Sequence, residues 1–89
     1  MADGTVTVPP FVTLLTAALT QQLPGAEVNT EHVRADRFRF IVVWDQFDAM
    51  DHPERQDLVW DIAGRELAPQ DLRNVSMILT LGDEDLPQS

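Results

Sequence analysis

Between Arg37 and Trp44 the side chains alternate: Phe38, Phe40 and Val42 fall on one side of an extended chain, and Arg37, Arg39, Ile41 and Val43 on the other. A period of two marks a strand with one apolar face. Beyond Asp51-His52-Pro53 the period becomes helical. Gln56, Val59, Trp60, Ala63 and Leu67 share one side of a helix, with Leu58 and Ile62 flanking them. A strand and a helix that each carry an apolar face, joined by a short loop, bury those faces against each other. No stretch of linker composition divides the chain and no internal repeat is present, so residues 9–82 are expected to form a single domain.

The flanking segments extend this core. Pro9 and Pro10 suit the first turn of a helix, and Phe11, Leu14, Leu15, Ala18, Leu19 and Leu23 then recur at helical spacing until Pro24-Gly25 ends it. Ala26 to His32 is expected as a short strand, Val33–Asp36 as a turn, and Arg37–Trp44 as the clear strand. Asp45 to Asp51 is expected as a loop, with Asp51 as N-cap of the next helix and Glu54 at its positive end. Ala68-Pro69 breaks that helix, a further turn follows to Arg73, and Val75–Leu81 is a last strand with Val75, Met77, Leu79 and Leu81 on one face. The order is α-β-β-α-(α)-β. Two strands joined by a turn pair as a hairpin, and two joined through a helix run parallel by a right-handed crossover. The expected fold class is α+β, a three-stranded mixed sheet with helices on one face. Residues 1–8 are expected as a flexible lead and 83–89 as an acidic tail.

Fifteen acidic and 6 basic residues give a net charge of −9. Such a surface repels phosphate backbones and anionic lipid, so no nucleic-acid or membrane partner is expected. Arg34, Arg37 and Arg39 cluster, but Asp36 interrupts them, and they read as a solvated strand face. No run approaches the roughly 20 apolar residues of a bilayer span, and Met1-Ala2-Asp3-Gly4 lacks the basic start of a secretory signal. The expected location is cytoplasmic. There is no cysteine, which excludes disulfides, thiol nucleophiles and thiolate metal sites on this chain.

Groups for catalysis do not assemble in the sequence. Asp45, Asp48 and Asp51 recur every third residue, whereas a calcium loop needs alternate positions, a central glycine and a closing Glu. His32 and His52 are the only histidines, too few for a metal site of their own. No Gly-x-Ser-x-Gly and no glycine-rich phosphate loop occurs. A binding module, not an enzyme, is expected. Trp60 is assigned to the core. Trp44, where the strand enters the loop, is read first as a core residue and second as a contact residue at an interface.

Phe38-Arg39-Phe40-Ile41-Val42-Val43, Phe47-Asp48-Ala49-Met50 and Glu54-Arg55-Gln56-Asp57-Leu58-Val59-Trp60 together resemble BolA-like proteins. Phe38 falls on that family's strand phenylalanine, Phe47 on its loop phenylalanine, Arg55 on the first basic residue of its helix, and Val59-Trp60 on its hydrophobic-aromatic pair. The resemblance covers roughly Phe11 to Leu81. It implies a fold similar to a type II KH domain and a non-enzymatic role: binding a protein partner such as a monothiol glutaredoxin, in iron–sulfur trafficking or stress response. Trp44, Arg55, Gln56 and Ser76 are then the expected partner-binding residues. The family's ligand positions carry other groups here. Ser76 stands where it has the histidine that ligates a shared iron–sulfur cluster, Gln56 at its helix histidine, Arg37 at its strand-entry histidine and Ala49 at its loop glycine. His32 is the remaining candidate ligand. No cofactor of the chain's own is expected. A small accessory subunit of a larger complex, or a KH-like nucleic-acid binder lacking the Gly-x-x-Gly loop, are the alternative roles.

Overall fold

A computed structural model describes residues 8–85. Its centre is β2 (Arg37–Val43), whose Phe38, Phe40 and Val42 are buried while Arg39, Ile41 and Val43 are half-buried on the opposite face. The alternation in the sequence is thus the alternation in space. β1 (Glu27–Arg34) pairs antiparallel with β2, setting Val28 opposite Val42, Thr30 opposite Phe40 and His32 opposite Phe38. The hairpin turns tightly at Ala35-Asp36, with Ala35 at a φ of 47°. β3 (Val75–Leu81) lies parallel on the other side of β2, giving the order β1-β2-β3.

Two helices cover the Phe38–Phe40–Val42 face. α1 (Pro10–Gln22) buries Phe11, Val12, Leu15, Ala18 and Leu19 and is followed by buried Leu23. Leu14, expected in that stripe, is 47% exposed, and Val12 takes its place. The buried arc is centred between Leu15 and Leu19, and Leu14 lies beyond its rim. α2 (His52–Glu66) begins in a capping box: the Glu54 N–H donates to Asp51 Oδ1 at 3.0 Å, and the Asp51 N–H donates to Glu54 Oε1 at 3.0 Å. Its buried stripe is Arg55, Val59, Ile62 and Ala63, continued by Leu67. Trp60 and Gln56, expected on the buried side, are half-buried at its margin. The short α3 (Pro69–Leu72) then returns the chain to β3.

Two further segments depart from the sequence reading. The expected loop after β2 contains a 3₁₀ turn over Asp45–Ala49 that drives Phe47 into the core at 0% exposure. β3 turns Val75, Ile78 and Thr80 inward, whereas Met77 and Leu79 are 41% and 36% exposed. A bulge is responsible: Phe38 pairs with Val75 but Arg39 pairs with Met77, so Ser76 is an extra residue that inverts the alternation after it. The lead expected over residues 1–8 lies, apart from exposed Val8, outside the described residues. Of the expected tail, Asp83–Asp85 form a 3₁₀ turn folded against the domain, and the rest lies outside the described residues. No helix among the described residues is long and apolar enough to cross a membrane.

Candidate functional site

The two ladders of β2 determine which backbone groups face outward. The Phe38 N–H donates to the Asn74 carbonyl and the Trp44 N–H to the Leu81 carbonyl, both at 2.9 Å. Even-numbered residues of β2 therefore bond β3 and odd-numbered ones bond β1. In this phase the outward groups of β3 belong to Ile78 and Thr80. Both outward carbonyls are occupied by side chains of α2. Gln56 Nε2 donates to the Ile78 carbonyl at 2.9 Å, and Arg55 donates from a terminal guanidinium nitrogen to the Thr80 carbonyl at 3.3 Å. The Gln56 amide stands where a neighbouring strand's peptide group would be, and Trp60 Nε1 donates to Gln56 Oε1 at 3.1 Å to hold it there.

Between α2 and this edge runs a cleft of about 330 Å³, lined by His52, Gln56 and Trp60 on the helix and by Ser76 to Leu81 on the strand. That volume is at the low end for a small-molecule site. Its floor and rim are mainly apolar, from Trp60, Met77, Ile78, Leu79 and Leu81, with one imidazole, one amide and two hydroxyls. Asp57 and Asp61 lie exposed on the adjoining face of α2. No pair in this set makes a nucleophile with its base, and the cleft is suited to receiving side chains of another molecule.

Of the four expected contact residues, the cleft brings together Gln56 and Ser76. Arg55 lies below it, in the core. Its Nε donates to the Met50 carbonyl at 3.1 Å and a terminal nitrogen to Asp85 Oδ2 at 2.9 Å, and its guanidinium carbon stands 5.8 Å from the centre of the Phe47 ring. Asp85 also accepts from the Gly82 N–H at 2.9 Å. That backbone bond first, and the Arg55 guanidinium second, hold the Asp85 carboxyl below the usual carboxylate value. Trp44 is not on the cleft. Its indole N–H donates to the Pro24 carbonyl at 2.8 Å and its ring meets Phe47 edge-on at 5.3 Å, tying the end of β2 to the end of α1.

His32 stands on β1 at the hairpin end. Its Nε2 is 2.6 Å from the Ala35 carbonyl and its ring lies 5.0 Å from Phe38. The contact with Ala35 engages Nε2 in closing the turn. No cluster of three or more His, Asp or Glu side chains among the described residues is placed to hold a metal ion. An iron–sulfur cluster needs thiolate or imidazole donors that converge, and this donor set does not fit one.

His52, Trp60, Met77 and Leu79 line the cleft without having been singled out as contact residues. The helix side was available from spacing, because His52, Gln56 and Trp60 follow one another at four-residue intervals and form a single stripe. The strand side was not, because the bulge at Ser76 leaves no mark on the composition of β3.

No protein-family model matches the chain, and no curated protein matches it in sequence. Among solved structures, BolA1 from Arabidopsis thaliana is similar over 90% of this chain and 100% of that one, with a TM-score of 0.67 and 18% identity. The element order, the mixed sheet and the helices on one face agree with that structure. The chain therefore has a BolA-like α+β fold, carried by a strongly diverged sequence.

Proposed function

We propose that this chain is a non-enzymatic protein-binding module of the BolA type whose partner seats in the α2–β3 cleft, with a monothiol glutaredoxin as the candidate partner. The observation that carries the reading is the exposure of Met77 and Leu79 on the β3 edge, which with the half-buried Trp60 lines the cleft of an otherwise strongly acidic chain. Apolar residues lining a concave strip with a few fixed polar groups provide contact area, and the neighbouring exposed Asp57 favours a partner with a basic residue at the rim, Asp61 being paired with Arg65 at 2.9 Å. Because the chain brings no thiolate and no convergent histidines, the association rests on contact between the two proteins and not on a cluster ligated from both sides. The absence of cysteine is compatible with a reducing, cytoplasmic setting.

Co-expression with a monothiol glutaredoxin, followed by size-exclusion chromatography and visible absorbance, tests the reading. The expected result is a colourless complex that Met77→Glu disrupts while leaving the circular dichroism of the chain unchanged. Separate elution of the two proteins at every concentration would remove the glutaredoxin. A complex indifferent to Met77→Glu would remove the cleft.

A further inference from the structure

The two edges of the sheet differ. On β3 both outward carbonyls are occupied by Gln56 and Arg55, which blocks the addition of a strand there. On β1 the outward groups, by the ladder phase above, are the N–H and C=O of Val28, Thr30 and His32. Among the described residues none of the six bonds backbone outside the β1–β2 ladder, and the ladder phase turns them away from β2. The strand is eight residues long, contains no proline or lysine, and only Val28 is even half-buried. Edges of this length are ordinarily blocked, as β3 is.

We infer that the β1 edge pairs with the β1 edge of a second copy of this chain, about a two-fold axis at Thr30, to make a continuous six-stranded sheet. The register follows from the outward groups. An antiparallel pair keeps inner-face residues opposite inner-face residues, so Thr30 faces Thr30 of the second copy, and Val28 faces His32 in both directions. All six outward groups of each copy are then used. On the outer face Asn29 lies opposite Glu31 of the second copy, an amide against a carboxylate, with no like charges opposed.

The strand ends are complementary as well. The irregularity between His32 and Arg34 brings Arg34 onto the outer face opposite Arg37, a like-charged pair with no acidic partner among the described residues. Pairing in this register carries Glu27 of the second copy to that end. The charge of −9 on each copy does not forbid this. At physiological ionic strength charges are screened beyond about 8 Å, so the local pattern at the edge decides. The local surface is nearly neutral, because α1, which packs on β1, has no charged residue in its 13 positions.

Sedimentation velocity and amide hydrogen exchange on the whole chain, from low micromolar to about 1 mM, test the inference. The expected result is a dimer that strengthens with added salt, with exchange protection at the amides of Val28, Thr30 and His32 rising in step with dimer fraction. Thr30→Pro removes only an outward N–H, tolerable on an edge strand, and is expected to remain monomeric with unchanged circular dichroism. Asn29→Glu sets a carboxylate against Glu31 of the second copy twice and is expected to weaken the dimer about tenfold. Asn29→Glu decides alone if Thr30→Pro does not fold. A monomer at all concentrations overturns the inference. So does a dimer whose protection appears at other amides, or one that a folded Thr30→Pro or Asn29→Glu leaves intact.

Discussion

Arg55 joins the first turn of α2 to the end of β3, donating to Asp85 Oδ2 at 2.9 Å and to the Thr80 carbonyl at 3.3 Å. Its side chain is 9% exposed, against 37% for Asp85, so the guanidinium is a buried cation whose only carboxylate partner among the described residues stands at the surface. What makes its burial tolerable is the number of acceptors, two backbone carbonyls as well as the carboxylate, with the Phe47 ring beside them.

Arg55→Ala is therefore expected to destabilise the fold by about 2–4 kcal/mol, through carbonyls left without donors and a vacated core position. Urea unfolding followed by the fluorescence of Trp44 and Trp60 measures it. A loss within about 0.5 kcal/mol, the range of an ordinary surface substitution, would show that the guanidinium is not integral to the core.

The Asp85 contribution depends on pH in a defined direction. Its carboxyl titrates lower in the folded chain than in the unfolded one, so its stabilisation is complete above the unfolded value. It declines as pH falls from there through the lowered folded value. The difference in melting temperature between the native chain and Asp85→Asn is expected to be largest above roughly pH 5 and to shrink at more acid pH. A difference that grows on acidification would contradict this linkage.

Gln56 gives a contrast between two substitutions. Gln56→Leu removes the donor to Ile78 and the acceptor from Trp60 and is expected to cost about 1 kcal/mol at neutral pH. Gln56→Glu keeps an acceptor for Trp60 but sets a carboxylate against the Ile78 carbonyl. It is expected to be the more damaging of the two, with partial recovery when protonated in mild acid. Chemical denaturation at two pH values separates them, and equal losses at neutral pH would argue against the strand-mimicking role of the amide.

Ala35 occupies the left-handed region with a φ of 47°, in a two-residue turn whose geometry suits glycine or asparagine. Ala35→Gly is expected to stabilise the chain by about 0.5–1 kcal/mol, less than the full cost of a left-handed alanine because glycine has more freedom to lose. A fall in melting temperature would mean that the turn is held by other contacts.

Gly82 has the opposite requirement. A methyl there would overlap the Asp48 carboxylate and stand 3.0 Å from its backbone nitrogen, where the Asp48 carboxylate also accepts from the Glu84 N–H at 3.2 Å. Gly82→Ala is expected to cost about 1–3 kcal/mol by forcing the 3₁₀ turn after β2 away from the end of β3. A neutral result would show that this turn shifts freely.

The parts of this fold that could be read from the sequence are those where one periodicity holds without interruption. Phe38, Phe40 and Val42 alternate through all of β2, and Asp51 with Glu54 signals its helix start unaided. β3 was misread because one inserted residue, Ser76, inverts the faces of all that follow. Arg55 is expected as a partner contact from the family resemblance alone, and nothing in its sequence surroundings marks it as buried, since charged residues rarely are. Its acceptors come from Met50, Thr80 and Asp85, brought together only by the tertiary fold. The cleft was half-legible for the same reason, since its helical wall follows a spacing rule and its strand wall depends on the bulge.

The parallel pairing of β2 with β3 has a consequence for how the chain reaches its fold. β2 is the most apolar strand, and its second edge is closed by a segment that lies beyond the whole of α2 and α3. Bringing that segment home is a late, non-local event. Until it docks, Phe38-Arg39-Phe40-Ile41-Val42-Val43 presents an unpaired edge with a single interrupting charge, the composition that seeds intermolecular β-structure. Arg39, already paired with Glu31 across the hairpin, is the only gatekeeper within that run. Loss of its charge should therefore matter more to the yield of refolding than to the stability of the finished domain.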